Sequence, residues 1–189
     1  MNNLAIFLEN NFTLFLVIMA AVALLVYIAL YFFEAGYGYL FNPKYGFPVP
    51  NRIGWVLMES PVFFAMLALW LCSDRVCNPV LLALLLIFQT HYFQRSFIFP
   101  MLIRGNSKMP IGIVLMGMTF NTLNALMQGG WLFYVSPENY YADWFSKPMF
   151  WLGLALFVAG MAINLQADHI IRSLRKEGDT RHYIPHSAG

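Results

Sequence analysis

An acidic residue stands where the chain is otherwise fit for lipid. Glu59 interrupts the apolar run GWVLMESPVFF, with Trp55, Met58 and Phe63 close by in sequence. An ionisable group in such surroundings costs roughly 3 kcal/mol or more, so it normally faces a cavity or a partner. Held neutral, a carboxylic acid can donate a hydrogen bond to a carbonyl oxygen, which an ionised Glu cannot do. The competing use is a hydrogen bond to a neighbouring helix.

The segment QTHYFQRSF holds a second set. Tyr92 and His91 precede Arg95 by three and four positions, so all three share one flank of a helix. Tyr92 suits an acid or hydrogen-bond donor toward an oxygen, and Arg95 suits a phosphate. An interfacial aromatic beside a snorkelling Arg accounts for the same pattern. Farther on, Asn121, Asn124 and Gln128 recur at helical spacing. Such a stripe serves a site or simply joins helices.

The stretch GMAINLQADHIIRSLRKEGDT places Asn164, Asp168, Arg172 and Arg175 along one helical face. An amide and an acid suit ribose hydroxyls or a carboxamide, while guanidinium groups pair with phosphate. A nucleotide cofactor approached from the polar end of that helix fits. A basic anchor with an Asp168–Arg172 ion pair is the alternative. There is no GxGxxG or P-loop, so such a site is neither Rossmann nor Walker type. The 4 histidines show no HExxH spacing and no metal is expected.

These residues need helices to hold them, and the composition says which kind. The 189 residues are 60% hydrophobic and 11% charged, with mean hydropathy +0.62. A soluble domain carries about a quarter charged residues. Disorder is excluded by the same balance. A net charge of +2 offers no broad basic face for nucleic acid. The expected fold class is all-α, a polytopic transmembrane helix bundle forming a single membrane domain over 1–189. At roughly 20 apolar residues per crossing, five spans are expected near 12–33, 53–73, 76–94, 111–134 and 148–167, with a polar tail over 168–189. The first run is too long, and its start too poor in positive charge, for a signal peptide.

Of the 11 Lys and Arg, only Arg75 and Lys147 fall on one side of these spans. That bias predicts a lumenal or periplasmic N-terminus and a cytoplasmic tail, in an ER membrane or a bacterial inner membrane. The longest loop, Gly36 to Asn51, lies on the basic side. Cys72 and Cys77 fall in a short outer loop. They can pair in an oxidising compartment or stand as two thiols.

Taken in order, GYG…GWxxxESPxF…HYFxRxFIFPxLIRG…NxxNxxxQG…GMxINxxADxIxRxLRKxGD…YIP resembles the steroid 5α-reductase family, from about Gly36 to Pro185. The resemblance implies a seven-helix membrane enzyme that uses NADPH to reduce the Δ4 double bond of 3-oxo-Δ4-steroids. It implies that Glu59 and Tyr92 are catalytic, hydrogen-bonding the 3-keto oxygen while hydride adds at C5 and a proton at C4. Trp55 and Tyr37 match substrate-pocket positions. Asn164, Asp168 and Arg175 match NADPH-contacting positions, with Arg95 and Arg172 beside them. Asn124 lies in a matching motif. Where the family has Tyr and another residue before Ile-Pro, this chain has His182 and Tyr183. The family continues past Ile-Pro through a Gly-rich turn and further helices, whereas this chain stops at HSAG, so a truncated member is expected.

Beside a steroid reductase stand two other readings. One keeps the fold and reduces another lipid enone, such as a polyprenol or an enoyl thioester. The other is a non-catalytic membrane scaffold or a small transporter. The expected partners are the lipid bilayer and a lipid substrate, and no protein partner can be deduced.

Overall fold

The computed structural model describes residues 3–33, 36 and 41–174. Helices dominate: α1 (Asn3–Ala29), α2 (Asn51–Leu71), α3 (Pro79–Phe93), the short α4 (Phe99–Leu102), α5 (Ile111–Gly130) and α6 (Pro148–Ser173). Among the described residues, four helical stretches are long and apolar enough to cross a membrane: Ala5–Ala29, Asn51–Leu71, Ile111–Val135 and Pro148–Ser173. The chain is therefore an all-α integral membrane protein.

The third expected span takes another form. α3 has 15 residues, then passes through a π-helical turn, Gln94–Ile98, into α4. Pro100 supplies the local reason. It has no N–H for the carbonyl four residues back, at Ser96, so regular α-helix cannot run straight through.

The first span was expected near 12–33, yet α1 begins at Asn3 and takes in Glu9. Glu9 lines a polar cavity of about 370 Å³ together with Arg75, Asp74 and Glu138, so its charge is not left to lipid. α6 likewise runs past the expected end at 167 to Ser173. Cys72 and Cys77 are both exposed and are not joined in a disulfide.

Two short strands were not foreseen. β1 (Pro48–Pro50) pairs antiparallel with β2 (Lys108–Pro110), in the register Pro48↔Pro110, Val49↔Met109 and Pro50↔Lys108. The ribbon is closed by Ile111 N–H to the Phe47 carbonyl at 2.9 Å and Asn51 N–H to the Ser107 carbonyl at 3.0 Å. Since β1 runs into α2 and β2 into α5, the ribbon starts both helices side by side. They proceed in parallel, because Gly54 faces Val114, Met58 faces Gly117 and Leu69 faces Gly129.

This seam is tight because small residues let the backbones approach. A Cβ on Gly117 would collide with the Met58 side chain, and one on Gly129 would come within 2.8 Å of Leu69. α3 packs back against α2, where Gln89 Nε2 donates to the Phe63 carbonyl at 3.0 Å, and α4 meets α2 through the Trp55–Phe99 ring contact. The main apolar core, with Val62, Met66, Leu81, Leu85 and Phe133 fully or nearly fully buried, fills one end of the bundle. There Arg75 donates to Ser136 Oγ at 2.8 Å and to the Tyr134 carbonyl at 3.2 Å.

The other end gathers Arg52, Arg104, Lys108 and Arg172. Arg52 donates twice to the Ile103 carbonyl, at 3.1 and 2.8 Å, and Arg104 reaches the Arg172 carbonyl at 3.4 Å. In contrast to α2 and α5, α6 has no buried residue, and α1 is mostly exposed along its length. Their bare apolar faces suit a lipid environment.

Candidate active site

α2 presents Trp55 and Glu59 one turn apart, both partly buried. Two residues after Glu59, Pro61 removes the N–H that would have bonded the Leu57 carbonyl. The next carbonyl, that of Met58, takes a bond from the neighbouring helix. Asn121 Nδ2 on α5 donates to the Met58 carbonyl at 2.8 Å and to Glu59 Oε2 at 3.2 Å. Asn121 is 5% exposed, so its amide is committed to these two acceptors and not to solvent.

One turn along α5, Asn124 Nδ2 donates to the Tyr92 hydroxyl at 3.0 Å. Tyr92 projects from α3, with its ring against Phe88 at 4.6 Å and His91 at 5.0 Å. Glu59 and Tyr92 lie within electrostatic reach of each other. Two helices thus deliver a carboxyl and a phenol toward one region, each held by an amide from α5. The third member of the sequence stripe, Gln128, is exposed and stays outside this arrangement.

Arg95 occupies the π-helical turn. Its guanidinium carbon sits 4.5 Å from the Trp55 ring centre and 4.2 Å from that of Phe99. Each such cation–π contact contributes about 0.5–2 kcal/mol, more when water is excluded. Its Nη1 lies 3.5 Å from Asp168 Oδ2 on α6. That separation is an ion pair and too long for a hydrogen bond. Asp168 Oδ2 is accordingly a buried acceptor without a hydrogen-bond partner.

The carboxylate of Asp168 therefore meets Arg95 of the core, where the sequence alternative had paired it with Arg172. Asn164, one turn before Asp168, is exposed, and Arg172, one turn after, is partly exposed. Tyr37 and Arg175, with His182 and Tyr183, lie outside the described residues.

The structure thus brings together Trp55, Glu59, Tyr92, Arg95 and Asp168. It leaves Asn164 and Arg172 on the open flank of α6. Sequence reasoning missed the part of Phe99 and the π-helical turn. The signal was there in Pro100, whose missing N–H marks the irregular turn just before it. Ser96 in that turn is fully buried, and its Oγ has no hydrogen-bond partner.

Comparison with known proteins extends this picture. A family model described as 3-oxo-5-alpha-steroid 4-dehydrogenase matches residues 107–189. The 3-oxo-5-alpha-steroid 4-dehydrogenase 1 of Bos taurus is 37% identical over 175 residues, covering 87% of this chain and 65% of that protein. The steroid 5-alpha-reductase DET2 of Gossypium hirsutum is 32% identical over 172 residues, again 87% of this chain and 65% of that protein. The Homo sapiens 3-oxo-5-alpha-steroid 4-dehydrogenase 1 is 36% identical over 151 residues, with 79% of this chain and 58% of that protein covered. The chain spans less than two thirds of the length of these relatives.

Proposed function

We propose, because the chain belongs to the steroid 5α-reductase family, that it reduces the Δ4 double bond of a 3-oxo-Δ4-steroid at the site between α2, α3 and α5. The observation that carries this reading is the placement of Glu59 and Tyr92. A carboxyl and a phenol stand on neighbouring helices, and each accepts a hydrogen bond from an amide of α5.

The chemistry follows from what such donors can do. A neutral Glu59 carboxyl and the Tyr92 phenol both donate to the 3-keto oxygen of the substrate. Their pull draws electron density out of the conjugated double bond and leaves C5 electrophilic. As C5 gains hydride, negative charge moves to that oxygen, where both donors bind it more strongly than they bound the ketone. Only such differential binding lowers the barrier. A proton then adds at C4 as the carbonyl re-forms, giving the saturated ketone. Trp55, one turn from Glu59, and Tyr37 would flank the substrate.

Reduction needs a hydride, and NADPH supplies it when bound. The residues fit such a group in one specific respect. The buried Asp168 Oδ2, which has its Arg95 ion pair but no hydrogen-bond partner, is an acceptor that suits the hydroxyl or amide N–H groups of a nucleotide. In this reading Asn164 and Asp168 hold hydroxyl and carboxamide groups, and Arg172 and Arg175 meet phosphate. Arg95 contributes through its remaining N–H edge. The N-terminus then lies on the lumenal or periplasmic side, with the arginine-rich end in the cytoplasm.

The test is turnover in membranes carrying the protein. Supplied with NADPH and a 3-oxo-Δ4-steroid, they are expected to yield the 5α-reduced ketone with matching loss of NADPH absorbance. Glu59→Leu and Tyr92→Phe should each lower kcat about 100-fold or more, the usual loss for one oxyanion donor. Wild-type turnover in Glu59→Leu would sink the carbonyl-donor role. Activity confined to polyprenol or enoyl thioester substrates would keep the fold and replace the substrate. Substrate flux without NADPH binding would favour the transporter.

A further inference from the structure

We infer that Asn124 and Asn121 are positioning residues that set the direction in which Tyr92 and Glu59 donate their protons. The inference deepens the proposed function and rests on its reading of these two groups as carbonyl donors.

The reasoning is a count of hydrogens and lone pairs. A phenol has one hydrogen and two acceptor lone pairs, and an Asn side-chain amide has two hydrogens on nitrogen. Asn124 Nδ2 donates to the Tyr92 oxygen at 3.0 Å and so occupies a lone pair there. The single phenolic hydrogen remains available and must turn to another acceptor. Donation to the oxygen also withdraws charge from it, which makes the remaining O–H a better donor.

Asn121 does the same for the carboxyl. Its amide is oriented by the Met58 backbone carbonyl, which can only accept, so the nitrogen must face α2. The second hydrogen then reaches Glu59 Oε2 at 3.2 Å. With Oε2 occupied as an acceptor, the proton of the neutral acid belongs on Oε1. Asn121 and Asn124 are three residues apart on α5, so one helix face orients both donors at once. The seam that carries them, with Met58 against Gly117, fixes their distance from α2.

A purely structural role for Asn124 predicts something different. Any polar group of its size that bonds the phenol would then serve. Asn124→Asp separates the two. An ionised Asp can only accept, so it would capture the phenolic hydrogen that the substrate needs, while the bond and the packing survive. Protonation of that Asp restores a donor.

The experiment compares the wild type, Tyr92→Phe, Asn124→Asp and Asn124→Leu in membranes with NADPH and a 3-oxo-Δ4-steroid, from about pH 5 to pH 8. Asn124→Asp is expected to lose about 100-fold in kcat at the alkaline end, the cost of one missing donor, with KM changed only slightly. Activity should recover at least severalfold on acidification, as the new carboxyl takes up a proton. Asn124→Leu leaves the phenol unaligned and should lose roughly fivefold, the worth of one ordinary hydrogen bond.

An Asn124→Asp enzyme with wild-type kcat at every pH, beside an inactive Tyr92→Phe enzyme, would overturn the positioning role and leave the carbonyl reading intact. Full turnover in Tyr92→Phe would instead remove the carbonyl reading itself. Should Asn124→Asp fail to fold, as judged by size-exclusion in detergent, Asn124→Leu decides the matter. It is expected to cost activity beside Tyr92 and to add nothing beside Tyr92→Phe. Equal losses in both backgrounds would overturn the inference.

Discussion

The two halves of the candidate site are built differently. The half between α2, α3 and α5 is braced before any ligand arrives. Glu59 and Tyr92 accept amide hydrogen bonds of 3.2 and 3.0 Å there, along a seam where glycine lets the helices touch. The half on α6 rests on an ion pair of 3.5 Å, an acceptor with no partner, and a helix without a buried residue. The difference matches what each half would do. Stabilising charge on a reacting oxygen rewards groups that need no reorganisation. Holding an exchangeable cofactor rewards polar groups left open for it.

The largest effect on this contrast is expected at the rigid half. Gly117→Val would drive a branched side chain into Met58, the neighbour of Glu59. Overpacking of this kind costs about 1–3 kcal/mol. The thermal midpoint in detergent should fall by several degrees, and steroid turnover should fall with it. An unchanged midpoint would mean that the seam is not the rigid element described above.

A smaller and more selective effect is expected at the open half. Asp168→Asn keeps the shape but removes the charge facing Arg95, an exchange worth about tenfold in the dissociation constant of NADPH if one charge-assisted hydrogen bond is lost. The thermal midpoint should stay within about a degree, because partly exposed ion pairs contribute 0–1 kcal/mol. Fluorescence titration with NADPH and a parallel melt check both. A large drop in the midpoint with unchanged binding would recast Asp168 as a structural tie.

The smallest effect is expected at Gln128. It belongs to the same sequence stripe as Asn121 and Asn124 but is exposed. Gln128→Leu should leave kcat and KM within about twofold, since surface changes away from such features rarely exceed 0.5 kcal/mol. A tenfold loss would extend the site farther along α5 than the geometry places it.

Much of this was open to reading in one dimension. Runs of apolar residues marked the helices, because lipid tolerates little else. Glu59 marked itself by being ionisable where its neighbours are not. The helical spacing put Asn121 with Asn124, and Asn164 with Asp168, on shared faces. The ordered motifs pointed to the family that the comparisons then showed. Boundaries were less legible. The first span was expected near 12–33, yet α1 begins at Asn3 and takes in Glu9, which lines a cavity with Arg75.

Partners were the part that spacing could not supply. Helical periodicity says which residues share a face and nothing about what the face meets. It offered Arg172 as the mate of Asp168, four positions away. The fold supplied Arg95, distant in sequence, because the π-helical turn before Pro100 swings it between Trp55 and Phe99 and toward α6. It likewise gave no reason to match Asn121 with Glu59 and Asn124 with Tyr92. Those pairings depend on α2 and α5 running in parallel from a proline-rich ribbon, with α3 packed back against α2. The sequence by itself thus determined a membrane helix bundle, its unusual polar residues and its kinship. Which of those residues meet, and which way each donates, only the packing of the helices decided, because contacts between distant segments depend on backbone approach that no local pattern encodes.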